Sequence, residues 1–229
     1  MLTTADYDIS PKFSPLFIDK ISEIVEPSGR SSGKSTTNEM VAILSMMESR
    51  LNNIWYCRAE SGDLRRTVFS SMLATIQLMG LESFFKTSLS PIEITCTKSG
   101  AKCYFSGING KVQDDLNATK GFTPQNRSLK MFILDEANEV KYKEHVTAAE
   151  TTANKFLIDG SKTVFAYNPP PLKTHWAHQY FGDKIRNGAT KIYTTWKDIE
   201  KVLKPATIAE IKKMRDTDPL FYRYWYLGE

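Results

Sequence analysis

Three short stretches of this 229-residue chain carry residue types that could do chemistry together. The first is Ser28-Gly29-Arg30-Ser31-Ser32-Gly33-Lys34-Ser35-Thr36, preceded by residues with strand character (Ile21, Ile24, Val25) and followed by a helical pattern with Met40, Val41, Ile43, Leu44 and Met47 as its apolar positions. A Gly/Ser-rich loop between strand and helix reads as a phosphate loop. Its backbone N–H groups wrap a triphosphate, and the helix N-terminus favours the negative charge. Lys34 then reaches the β- and γ-phosphates, and the Ser35 hydroxyl ligates Mg²⁺. The usual spacing puts a glycine where Ser28 stands, and Gly29 is expected to supply the missing backbone freedom, since glycine takes positive φ at little cost. The competing reading is a serine-rich turn in which Ser32 or Ser35 caps the helix.

The second stretch is Met131-Phe132-Ile133-Leu134 running into Asp135-Glu136. Four consecutive apolar residues predict a central strand buried on both faces, and ligands bind at the carboxyl ends of such strands in parallel sheets. Asp135 is placed to hold Mg²⁺, and Glu136 to polarise the water that attacks a γ-phosphate. The third stretch is Thr163-Val164-Phe165-Ala166-Tyr167-Asn168-Pro169-Pro170-Pro171. Prolines fix the exit of this strand, and the Asn168 amide can bond a γ-phosphate or its water.

The elements that must position these residues can be read in order. Residues 1–16 are polar, interrupted by Pro11 and Pro15, and predict an extended leader or lid docked through Phe13, Leu16 and Phe17. A helix over 35–51 and a strand over 53–58 follow, then a helix with Val68, Met72, Leu73, Ile76 and Met79 inward and Gly80 at its end. Residues 92–97 and 102–107 predict a hairpin; with Ser99-Gly100 as a two-residue turn, Cys96 would face Cys103. Residues 107–128 predict a loop that approaches a ligand or neighbour, 191–196 a strand, and 206–215 a helix with Ile208, Ile211 and Met214 inward. The chain closes on an aromatic run, Phe221 to Tyr226.

Composition narrows the class. The 41% hydrophobic content is that of an ordinary globular domain, and no apolar run approaches the roughly 20 residues of a membrane span. Met1 to Asp6 lack the basic and apolar regions of a signal peptide, so a cytoplasmic setting is expected. Three cysteines, an odd number, argue against a disulfide framework. The net charge of +4 is uneven: residues 161–229 carry 12 Lys+Arg against 7 Asp+Glu, a bias compatible with a polyanion partner.

The order of these motifs resembles the large terminase subunit of tailed bacteriophages and prophages. The likeness rests on the loop with Arg30, Leu134-Asp135-Glu136-Ala137, the Tyr167-Asn168-Pro169-Pro170 corner with His175-Trp176 after it, Thr194-Thr195-Trp196-Lys197-Asp198, and the closing Tyr226-Leu227-Gly228-Glu229. It implies a RecA-like α/β P-loop ATPase of the additional-strand, catalytic-glutamate type, with a mainly parallel sheet and helices on both faces. It further implies that 1–229 is the ATPase domain, with a nuclease domain normally following. By that likeness the loop from Ser28 to Thr36 binds ATP, Ser35 and Asp135 hold Mg²⁺, and Glu136, Arg30 and Asn168 are catalytic or coupling residues. The implied partners are double-stranded DNA, portal protein and the small terminase subunit, with a homo-oligomeric ring on the capsid and a monomer in isolation, in the cytoplasm of the bacterial host. Ser28 and Ser31 stand where the family's loop carries glycines, and Trp196 where it carries Tyr. An arginine acting in trans has four candidates: Arg58, Arg65, Arg66 and Arg127. The alternatives are another P-loop translocase or helicase-like ATPase, and a nucleotide-binding module without turnover. A second RecA-like half does not fit in 229 residues.

Overall fold

In a computed structural model, the residues described are 9–182, 186 and 188–229, the side chain of Ala118 apart. In chain order the elements are β1 (Glu23–Pro27), α1 (Lys34–Glu48), β2 (Ile54–Arg58), α2 (Ser70–Leu78), β3 (Phe85–Leu89), β4 (Ile92–Cys96), β5 (Lys102–Gly107), β6 (Leu129–Leu134), α3 (Lys143–Asn154), β7 (Leu157–Tyr167), α4 (Trp176–Tyr180), β8 (Thr190–Lys191), α5 (Pro205–Thr217) and α6 (Pro219–Tyr222). One eight-stranded sheet runs β3-β4-β5-β2-β6-β7-β1-β8. Six of these strands, β5 through β8 in that order, are parallel; β3 and β4 extend the β5 edge in antiparallel fashion.

The central strands are apolar on both faces because both are covered. Ile24, Ile54, Tyr56, Met131, Ile133 and Val164 pack on one side with Val41, Ile43 and Met46 of α1 and Met72 and Ile76 of α2. The alternate residues Val25, Trp55, Cys57, Phe132, Leu134 and Phe165 pack on the other with Val146, Ala149 and Ala153 of α3. A third cluster joins Trp196, Ile211, Tyr222 and Tyr226 at the C-terminal end.

Several expectations need correction. Residues 11–17 form a short 3₁₀ helix instead of an extended leader; Phe13 and Leu16 are buried, but Phe17 is 50% exposed. Residues 1–8 lie outside those described. The hairpin turn spans four residues, so Thr95 faces Lys102 and Cys96 bonds Ala101, not Cys103; all three cysteines are free and buried. Strand β3 went unread, since its half-exposed, polar pattern carries little periodic signal. The expected strand over 191–196 is only Thr190–Lys191. Beyond it Ile192 still donates to Val25, and Thr195 with Asp198 forms a capping box that turns the chain into a 3₁₀ segment starting at Trp196.

The aromatic C-terminal run lies against the loop after β1. Arg30 N–H donates to the Trp225 carbonyl (2.8 Å), the Arg30 guanidinium sits 3.9 Å from the Trp225 ring centroid, and the Tyr193 hydroxyl donates to the Leu227 carbonyl. This corrects the expected role of Gly29. It is not in the left-handed region; a Cβ there would lie 2.2 Å from the Tyr226 carbonyl oxygen, so close approach of backbone is what requires glycine. Gly29→Ala should therefore lower stability by about 1–3 kcal/mol through forced displacement of the tail. Gly62→Ala, with nothing within 4 Å of its added methyl, should stay within about 0.5 kcal/mol in the same denaturation series. Equal effects would show that the tail yields freely.

Candidate active site

Backbone N–H groups of all three motifs bond across to other parts of the fold at the strand ends. Ser28 N–H donates to the Tyr167 carbonyl (3.1 Å), Asp135 N–H to the Cys57 carbonyl (2.9 Å), and Asn168 N–H to the Asn138 side-chain oxygen (3.3 Å). The carboxyl ends of β1, β6 and β7 thus converge on the N-terminus of α1. Between them lies a cleft of about 340 Å³ lined by residues 29–36, Asp135, Glu136, Tyr167 and Asn168.

Lys34 is curled into this cleft. Its ammonium donates to the carbonyls of Ser28 (2.8 Å) and Gly29 (2.9 Å), to the Asn168 Oδ1 (3.1 Å) and, at 3.4 Å, to the Ser32 hydroxyl. Burial lowers its pKa to about 8, against the opposing pull of Glu26 and Asp135. The Ser28 hydroxyl faces away from the cleft: it receives Thr194 N–H (2.9 Å) and so pins the segment after β8. Ser31 takes φ +54° and Gly33 φ +86°. Holding a serine there costs about 1–2 kcal/mol, a cost absent for the glycine that the resemblance leads one to expect. Gly33, not Ser32 or Ser35, is the N-cap of α1.

The Ser35 hydroxyl lies 3.4 Å from both carboxylate oxygens of Asp135. Burial raises the Asp135 carboxyl, and the charges of Arg58 and Lys34 oppose that rise. A hydroxyl and a carboxylate, loosely bonded and both hard oxygen donors, fit Mg²⁺ well. Glu136 follows in a left-handed conformation (φ +48°), a strained setting for a side chain that must leave the strand at a sharp angle. Its carboxylate pairs with Arg58, which also holds Glu139 at 3.2 Å. Arg58, read from sequence as one candidate for an arginine acting in trans, is therefore engaged with its own chain. Arg66 pairs with Asp63 at 2.8 Å.

Two further carboxylates were not read from sequence. Glu26, in β1, accepts from the Asn38 amide (2.7 Å), and Glu39, on α1, accepts from the Thr75 hydroxyl; both are fully buried. Burial raises their pKa values to about 8 and about 7. The signal for Glu39 was helical spacing, four residues after Ser35 on the same face. Glu26 gave none, as a lone acid in a short strand looks like an exposed position.

A strand–loop–helix phosphate cradle, facing a carboxylate pair at the end of a neighbouring parallel strand, defines a RecA-like P-loop domain. The chain belongs to the phage terminase large subunit family, which matches residues 21–229. It is 26% identical over 232 residues to the terminase large subunit of Bacillus phage SPP1, covering 96% of this chain and 54% of that protein. Its fold matches the large terminase of thermophilic bacteriophage D6E solved with ADP (TM-score 0.71, 19% identity, 96% of this chain and 53% of that one). The same D6E protein is also known with ATP-γ-S. The ATPase domain of the Thermus phage P74-26 large terminase matches with TM-score 0.66 and 14% identity, over 98% of this chain and 95% of that one. The chain spans about half the length of the curated relative it matches. No helix among the described residues is long and apolar enough to cross a membrane.

The buried acids set a sign for pH dependence. A carboxyl whose folded pKa exceeds its unfolded value of 4.5 binds more protons in the folded state, so its contribution is complete below 4.5 and is lost as pH rises through the folded value. Unfolding free energy should therefore fall as pH rises from 4.5 to about 8. Glu26→Gln, which cannot ionise, should flatten that fall in denaturant titrations; an unchanged slope would mean that Glu26 is ionised in the folded protein.

Proposed function

We propose that this chain is the ATPase domain of a phage large terminase, hydrolysing ATP to drive double-stranded DNA into a procapsid. One observation carries the reading. Lys34, Ser35, Asp135, Glu136 and Asn168, spread over three motifs, line a single cleft. Family membership and the nucleotide-bound D6E structures support it.

In this reading Lys34 leaves its three carbonyl partners, from Ser28, Gly29 and Asn168, to meet the β- and γ-phosphates, whose charge restores the proton affinity that burial removes. Asn168 shares its oxygen with that ammonium, so transfer of Lys34 to the phosphates frees the amide and the proline-stiffened segment behind it. Arg30, stacked on Trp225, stands at the rim as a cation for the transferred group. Ser35 and Asp135 would hold Mg²⁺, which neutralises phosphate charge when bound. Glu136 orients the attacking water once Arg58 releases it. The portal protein, the small subunit and a ring of copies on the capsid in the host cytoplasm complete the proposed setting.

The test is nucleotide binding measured beside turnover. Lys34→Ala should weaken ATP binding at least tenfold, whereas Glu136→Gln should bind ATP within about threefold of the parent and lose at least 10²-fold in hydrolysis. Parent-like turnover in Glu136→Gln would refute its role as base. A separate expectation concerns Arg58. If its ion pair holds Glu136 away from the water, Arg58→Ala should raise basal ATPase several-fold with ATP affinity unchanged, and a fall in turnover would instead place Arg58 among the groups that assist the reaction.

A further inference from the structure

The inner face of α1 carries more polar chemistry than phosphate binding uses. Among the described residues five buried side-chain polar atoms lack a hydrogen-bond partner, and four of them flank this helix: Glu26 Oε1, Asn38 Oδ1, Glu39 Oε1 and the Tyr56 hydroxyl. All four residues are at most 1% exposed. Filling the space between a helix and a sheet needs only apolar side chains, and a buried carboxyl is costly there. Such a cluster behind a reactive centre calls for an explanation.

Glu39 is the member whose position speaks to the reaction. Its Cα lies one helical turn beyond that of Ser35, on the same side of α1, since residues four apart share a face. One of its oxygens receives the Thr75 hydroxyl from α2. The Tyr56 hydroxyl of β2 lies beside the carboxyl, and Asp135 is near enough to disfavour its charge. Tyr56 in turn stands opposite Ile133 of β6, two residues before Asp135. The carboxyl thus stands between α2, which it holds through the Thr75 bond, and the Tyr56 side chain of β2. Against this, the Ser35 to Asp135 contact is long, 3.4 Å to either oxygen, and cannot fix the helix by itself.

We propose that Glu39 is a positioning residue for the Mg²⁺ side of the cleft: by tying α1 to Thr75 of α2 and lying against Tyr56 of β2, it sets where Ser35 meets Asp135. The proposal rests on Ser35 and Asp135 being the metal-side pair of the nucleotide site.

The test is ADP binding to the 229-residue chain by calorimetry, with and without Mg²⁺, beside thermal unfolding in metal-free buffer. Glu39→Leu keeps the volume and removes the bridge. It should raise the Mg²⁺ concentration needed for half-maximal enhancement of ADP binding about tenfold, the size seen when partners behind a metal ligand are removed. Metal-free ADP affinity, which Lys34 and the loop supply, should stay within twofold. Glu39→Gln keeps hydrogen-bonding groups on the same frame and should restore the parent's Mg²⁺ dependence to within about threefold. Should Glu39→Leu fail to fold, Thr75→Val decides from the other side of the bond, with an expected shift of about threefold in the same direction. A parent-like Mg²⁺ dependence in both apolar variants would overturn the proposal, as would a parallel loss of metal-free ADP binding, which signals general damage. A parent chain that binds ADP with no response to Mg²⁺ would overturn the underlying assignment of Ser35 and Asp135, a result separable from the other two.

Discussion

A buried ammonium is the constraint on which this site depends. Lys34 cannot sit in the interior unpaired, because the charge of an isolated ion is very poorly stabilised away from water. It is instead surrounded by oxygens from three distant parts of the chain: two loop carbonyls, the Asn168 amide and, at longer range, the Asp135 carboxylate. That demand draws the ends of β1, β6 and β7 to one point. Lys34 is consequently fully partnered by protein oxygens, and in the proposed function nucleotide replaces them with phosphate oxygens. Exchange of one set of partners for the other is a differential interaction, which is what a ligand needs in order to move a protein.

The same logic governs Glu136. Its backbone is held in a sparsely populated conformation and its carboxylate is held by Arg58, so the group assigned the base is positioned and restrained at once. The restraint comes from the end of β2, the strand beside β6 in the sheet, and β2 leads on toward α2. Its other end of influence is Tyr56, beside Glu39. One strand therefore touches both the Glu136 side and, through Tyr56 and Glu39, the α1 side of the cleft.

The C-terminal cluster belongs to this arrangement as well. Trp196, Ile211, Tyr222 and Tyr226 form a core separate from the sheet, and its aromatic run closes over the loop through Gly29 and Arg30. The loop is thus backed by a module with its own packing.

Local chemistry was enough to single out the Ser28–Thr36 loop, the acidic strand end and the asparagine corner, which the fold does bring to one cleft, because each is a run of a few residues whose types make sense only together. The buried parallel strands were legible for a related reason: covering both faces leaves an unbroken apolar signature in the sequence. Their order in the sheet was not, nor was β3, whose exposed edge position removes the periodic signal. Gly29 shows the boundary most clearly. From sequence its purpose was conformational freedom, whereas the structure makes it a clearance of one methyl group against residue 226, nearly two hundred positions away. Likewise Arg58 and the buried Glu26 and Glu39 acquire their roles only from neighbours that the chain brings in from elsewhere. Residue type and short spacing determined which chemistry the chain could perform; tertiary structure decided what restrains each group, because desolvation and ion pairing depend on distance through space and not along the chain.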